Sequence, residues 1–192
     1  MKPLASVLYE DKMIPTADKK YPLHDLVMRM VEDDIDGQTY KLLKLTKPYP
    51  KNGIDALLAE LQNTDRIAGA GKLCLLADRD RVASHLGLAG SANDEEIVKA
   101  VEAKSNAPGK LHVFFLYRNV ESLLRDIQRC GNEPINGMDK ALKKDRNARD
   151  TVLNEAKKTA NKSLRDCLRN AQQGLDGLAK AIAAVVPPAE IA

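Results

Sequence analysis

Two aspartates one residue apart, Asp78 and Asp80, end the apolar run Leu73 to Ala77 in "KLCLLADRDRV". A short apolar run that stops at polar residues reads as a buried strand, so the pair stands at a strand's carboxyl end. Two more acids hold comparable places. Glu10 ends the run in "LASVLYE", and Glu121 lies just beyond the run in "LHVFFLYRNVE". Carboxylates gathered at one place repel one another and lose hydration unless a cation compensates. A set of oxygen ligands is what magnesium or manganese prefers, and the chemistry that such a site supports is metal-assisted reaction at phosphorus. A solvated turn can also carry a DxD, with Arg79 and Arg81 neutralising it. The recurrence of acids at three strand ends separates the metal or phosphate reading from that plainer one.

These residues need elements to position them. The run ending at Glu10 is a strand. Leu23, Leu26, Val27, Met30 and Val31 recur at helical spacing, with Pro22 suited to a first turn and Gly37 closing the segment. The stretch "YKLLKLT", residues 40–46, reads as an edge strand leading into the turn signals "KPYPKNG". Residues 54–61 form a short helix, and Leu73 to Ala77 a third strand. In "SANDEEIVKAVEAKS" either Ser91 or Asn93 serves as N-cap, and Glu96 three positions after Asn93 fits a capping box. Residues 111–117 make the most apolar strand, followed by a helical "SLLRDI".

Four strands separated by helical crossovers imply an α/β fold, a parallel four-stranded sheet of Rossmann-like kind with flanking helices. In such sheets ligands bind beyond the carboxyl ends of the strands, where the acids lie. After "GNEPING" at 131–137 the pattern changes, and the chain reads as helix to Val186, stopped by Pro187 and Pro188. The expected division is an α/β domain over 1–130 and a helical C-terminal extension over 131–192.

At 192 residues the chain suits one substantial core. Its 30 basic and 27 acidic residues leave a charge of +3, which neither demands nor excludes nucleic acid, but their distribution is uneven. From Asp139 to Arg169 ten basic residues face five acidic ones, a local excess that can meet phosphate through Lys143, Lys144, Arg146 and Arg149. Cys74, Cys130 and Cys167 are odd in number and widely spaced, with no CxxC pair. Nothing at the N-terminus has the form of a signal peptide, and no apolar stretch approaches the ~18 residues of a membrane helix. A cytoplasmic protein without membrane attachment is the expectation.

The order of an acid ending the first strand ("VLYE"), an apolar strand ending in DxD ("CLLADRD") and an acid after the next strand ("FLYRNVE") resembles the Toprim domain, over about residues 4–130. That domain is shared by topoisomerases, bacterial primases, RecR repair proteins and the overcoming-lysogenization-defect nucleases. By this resemblance Glu10 is the general acid or base, Asp78 and Asp80 bind Mg2+ or Mn2+, and Glu121 is the additional metal ligand of the nuclease branch. Asp11 stands where many Toprim domains carry glycine. The resemblance implies a nuclease or related phosphodiester-processing enzyme acting on DNA or RNA. By analogy it works as an immunity or toxin effector beside a partner such as an ATPase. Two other readings stay open: a non-catalytic interaction or sensor subunit, and a phosphoacceptor receiver in which Glu10 and Asp11 hold magnesium and Asp78 takes the phosphoryl group. The receiver needs a fifth strand ending in lysine, and none follows Tyr117.

Other signals carry less. "GAGK" at 69–72 lacks the spacing of a phosphate-binding loop and precedes a strand rather than a helix. Lys157 and Lys158 read as a solvated helix face, or else as neighbours of the acidic edge. The stripe Leu164, Leu168, Ala171, Leu175, Leu178 and Ile182 either covers the sheet or joins a second copy in a homo-oligomer.

Overall fold

The computed structural model describes residues 3–11, 21–35, 45–116, 119–131, 135–143, 145–159 and 161–185. Strands β1 (Ala5–Glu10), β2 (Thr46–Lys51), β3 (Lys72–Asp78) and β4 (Leu111–Leu116) form one sheet in the order β2-β1-β3-β4, with every pairing parallel. Strands buried on both faces need apolar residues at nearly every position rather than at alternate ones, which is why β1 and β3 read as apolar runs. In β1 only Ser6 is polar before the terminal acid, its hydroxyl donating to the Ile67 carbonyl at 3.2 Å. Val7, Tyr9, Cys74 and Leu76 point to one face; Leu8, Leu73, Leu75 and Ala77 point to the other.

The second strand departs from its expected position. Of residues 40–46 only Leu45 and Thr46 are described, and β2 begins at Thr46 and runs through "TKPYPK". The residues that read as a turn are the strand itself. Its edge position explains the difference: β2 pairs only with β1, so Pro48 and Pro50 cost no hydrogen bond on the outer side.

The face containing Leu8 and Leu75 is covered by α2 (Ile54–Ala59), α3 (Thr64–Ala68), α4 (Arg79–His85) and α5 (Asp94–Glu102), through Leu57, Ile67, Val82 and Ile97. The expected capping box of α5 is present: Asn93 Oδ1 accepts from Glu96 N at 2.9 Å, and Glu96 Oε2 accepts from Asn93 N at 2.8 Å. Gly71, within "GAGK", lets β3 start beside β1, because a Cβ there would meet the Leu4 carbonyl oxygen at 2.0 Å.

The opposite face carries α1 (Pro22–Ile35), α6 (Val120–Cys130), α7 (Met138–Leu142), α8 (Arg146–Thr159), α9 (Lys162–Ala171) and α10 (Gln173–Val185). Among the described residues, the continuous helix expected beyond Gly137 is thus four helices. The breaks have local causes. Gly137 has φ 82°, Asp145 Oδ1 accepts from Ala148 N at 3.1 Å, and Asn161 Oδ1 accepts from Leu164 N at 2.9 Å, so two caps sit inside what looks like one charged run. Leu164, Leu168, Leu175, Leu178 and Ile182 share one buried cluster with α1 and the sheet. The stripe therefore covers the sheet, with α10 against β3, β4 and α1. Gly174 permits the approach, since a Cβ there would stand 1.7 Å from the Phe115 carbonyl oxygen.

Cys130 at the end of α6 and Cys167 in α9 form a disulfide, a pairing that an odd count and wide spacing do not disclose; Cys74 is a buried free thiol. Among the described residues no helix is long and apolar enough to cross a membrane.

Candidate functional site

The connection after β1 leads to one edge of the sheet, and the one after β3 leads to the other, so the topology switches between these two strands. Such a switch opens a crevice beyond the strand ends. Glu10 and Asp78 are the last residues of β1 and β3 and flank it directly. A cleft of about 760 Å³ lies there, and Tyr9, Glu10, Asp78, Glu121, Arg146 and Arg149 are among its lining residues.

Local sequence places each acid. Asp78 is the N-cap residue of α4, with extended backbone (φ −68°, ψ 115°), so the chain turns into helix at the first aspartate and carries Asp80 into the helix's first turn. Asn119 caps α6, its Oδ1 accepting from Ser122 N at 3.0 Å, which leaves Val120 N–H to donate to Asp78 and sets Glu121 in the first helical turn. Two carboxylates from other chain segments therefore act on Asp78. Burial pushes the Asp78 carboxyl up to about 7; the charges of Glu10 and Glu121 push the same way, against Arg81 and the Val120 N–H. Arg81 forms a tight ion pair with Glu10 Oε1, while Glu10 Oε2 is buried and has no hydrogen-bond partner among the described residues.

Asp80 stands apart from this trio. Its side chain is 66% exposed at the rim of the cleft, 3.7 Å from Arg79. Arg79 in turn binds Asp94 at 2.6 Å and the Ala92 carbonyl at 2.6 Å, tying α4 to the start of α5. The two arginines flanking Asp80 thus separate: Arg79 is structural, and Arg81 belongs to the site.

The basic residues separate as well. Arg146 and Arg149, in the first turn of α8, turn into the cleft and converge on Asp11 Oδ1 at 3.8 and 2.7 Å, and each lies within 3.8 Å of Asp150. Lys143 is exposed, and Lys144 lies outside the described residues. Asp150 escaped the sequence reading, although a signal existed: Arg146 and Arg149 lie three residues apart, and Arg146 and Asp150 four, on one helix face. Asp11 entered it as a magnesium ligand of the receiver alternative, not as a partner of these arginines. Lys157 and Lys158 pair away from the acidic edge, Lys157 with Asp25 at 3.0 Å and Lys158 with Glu155 at 2.8 Å.

As donors, Glu10, Asp78 and Glu121 suit a hard divalent cation. The free buried oxygen of Glu10 and the raised Asp78 are what a carboxylate cluster shows when its compensating charge is incomplete. Among the described residues no three acidic, histidine or cysteine side chains are already disposed as a ligand set, and the Arg81 guanidinium takes up one Glu10 oxygen. Holding a cation there requires Arg81 to turn outward, which its half-exposed side chain permits. Comparison with known proteins adds no relative: no family model, curated protein or solved structure matches the chain.

Proposed function

We propose that the chain is a magnesium- or manganese-dependent phosphodiester-processing enzyme acting on DNA or RNA, with a Toprim-like arrangement of its acids. The observation that carries this reading is the meeting of Glu10, Asp78 and Glu121 at the switch point of a parallel sheet, with Asp78 raised to about 7 by burial and by the other two. A bound divalent cation supplies an activated water and charge stabilisation at phosphorus. The chain supplies the rest. Asp78, Glu121 and one oxygen of Glu10 would hold the cation, Val120 N–H fixes the Asp78 oxygen, and the second Glu10 oxygen, at the end of β1, would take a proton from the water that displaces the leaving oxygen at phosphorus. Arg81, now paired with Glu10, would be free to face a phosphate oxygen once a cation took over that carboxylate. Asp80, at the exposed rim beside Arg79, stands outside this set. Work beside a partner protein, such as an ATPase in defence, is part of the proposal by analogy.

The test is cleavage of plasmid DNA and of structured RNA with Mg2+ or Mn2+ by the parent chain, Glu10→Gln and Asp78→Asn. The parent should cut and both variants should lose several orders of magnitude in rate, since the cation provides both nucleophile and charge stabilisation. Variants that cut as well as the parent contradict the assignment.

A further inference from the structure

Beside the three carboxylates the cleft holds a second group of polar atoms that the metal chemistry does not use. Tyr9 is 1% exposed, and its hydroxyl has no hydrogen-bond partner among the described residues. Arg146 Nε and Nη1 are buried without an acceptor, and Asp150 Oδ1 is buried without a donor. The three belong to one place. Tyr9 feels the charges of Asp11 and Asp150, Arg146 lies 3.7 Å from Asp150 and 3.8 Å from Asp11, and Arg149 donates to Asp11 at 2.7 Å. A buried polar atom without a partner is uncommon and costs more when charged, so several in one place call for a common explanation.

We infer that Tyr9, Arg146 and Arg149 form a binding site for a phosphoryl group of the substrate, and that Asp11 is the positioning residue that holds the two arginines toward it. This rests on the reading of the chain as acting on phosphodiesters and names the group that orients the strand. The donor set matches the ligand. A guanidinium offers five N–H groups in a rigid fork suited to phosphate oxygens, and Arg146 Nε and Nη1 make no hydrogen bond among the described residues, Nε standing 3.7 Å from Asp150. The Tyr9 hydroxyl is a further donor, and the amino end of α8, a helix of 14 residues, adds its positive dipole. Asp11 and Asp150 balance the arginine charges before a ligand arrives, so the arginines stay ordered in the cleft rather than spread over the surface.

The experiment measures binding in EDTA, which removes any contribution from a cation. The probes are a labelled ten-nucleotide single strand, with and without a 5′-phosphate, and inorganic phosphate as competitor. Arg146→Gln and Tyr9→Phe should each weaken strand binding, Arg146→Gln by at least about tenfold. Arg146→Gln should also flatten the salt dependence by about 0.7 in slope, the share of one phosphate that is no longer neutralised. Arg149→Lys, which keeps the charge and removes the fork, should weaken binding less than Arg149→Gln. Asp11→Asn should leave the charge-dependent slope at least as steep while loosening binding. A preference for the phosphorylated strand assigns the site to a terminal monoester, and equal affinity assigns it to the backbone; either supports the inference. If Arg146→Gln, melting like the parent, binds strand and phosphate as tightly as the parent, the inference is overturned even where Mg2+-dependent cleavage is found. Phosphate binding that needs Arg146 in a chain that never cuts would retain this site and remove the enzymatic reading.

Discussion

Replacing Asp78 by asparagine should stabilise the metal-free protein, and by more as the pH rises. In the unfolded chain the carboxyl loses its proton near the ordinary value of 3.8, but in the folded chain only near 7, because of burial and the adjacent Glu10. Between those values the native state binds more protons than the unfolded one, so the parent loses stability as pH rises through that window. Asparagine keeps an oxygen for the Val120 N–H and carries no charge at any pH. From pH 5 to the folded value of about 7 is two pH units. At about 1.4 kcal/mol each, the advantage of Asp78→Asn should widen by about 3 kcal/mol between pH 5 and pH 8, somewhat less with screening at the cleft mouth. Urea denaturation of both proteins in EDTA across that range reads the difference directly. Parallel stability profiles, or a variant less stable at pH 8, would show that the cleft does not strain this carboxylate and that Asp78 is held by structural partners.

Arg81→Gln removes the cation that now pairs with Glu10, so at pH 8 it should melt lower in EDTA and gain more from added Mn2+ than the parent, as thermal scans with and without metal will show. Gly174→Ala drives a Cβ into the Phe115 carbonyl and should cost about 3 kcal/mol or more in denaturant unfolding, because backbone on both sides must shift. Replacing Cys130 and Cys167 together by serine opens a loop spanning 37 residues; under oxidising conditions it should cost about 2–4 kcal/mol, and a reductant should bring the parent down to the variant.

The architecture was legible where burial leaves a periodic trace. β1 and β3 are covered on both faces and show as apolar runs, α1 shows as a spaced stripe, and the α5 capping box is written in Asn93 and Glu96. β2 was misplaced because prolines at 48 and 50 signal a turn everywhere except on an edge strand. The C-terminal helices merged in the sequence because Asp145 and Asn161 act as caps within a charged run, where a capping residue looks like any other polar one. For the cleft, strand-end position was enough to bring Glu10, Asp78 and Glu121 to its wall. It could not separate Asp80, which the helix start carries outward, nor could it see that Arg146 and Arg149 bend inward to Asp11, in the second case across 138 residues of chain. Ion pairs between segments so distant leave no local pattern.

On the proposed function, Glu10, Asp78 and Glu121 hold a divalent cation. Crystals soaked in Mn2+ and measured for anomalous scattering test it most directly. A manganese peak is expected at the switch point between β1 and β3, bonded to oxygens of these three side chains, with Arg81 turned away from Glu10. A peak elsewhere on the molecule, with Arg81 still paired to Glu10 and the cleft carboxylates unmoved, would contradict it.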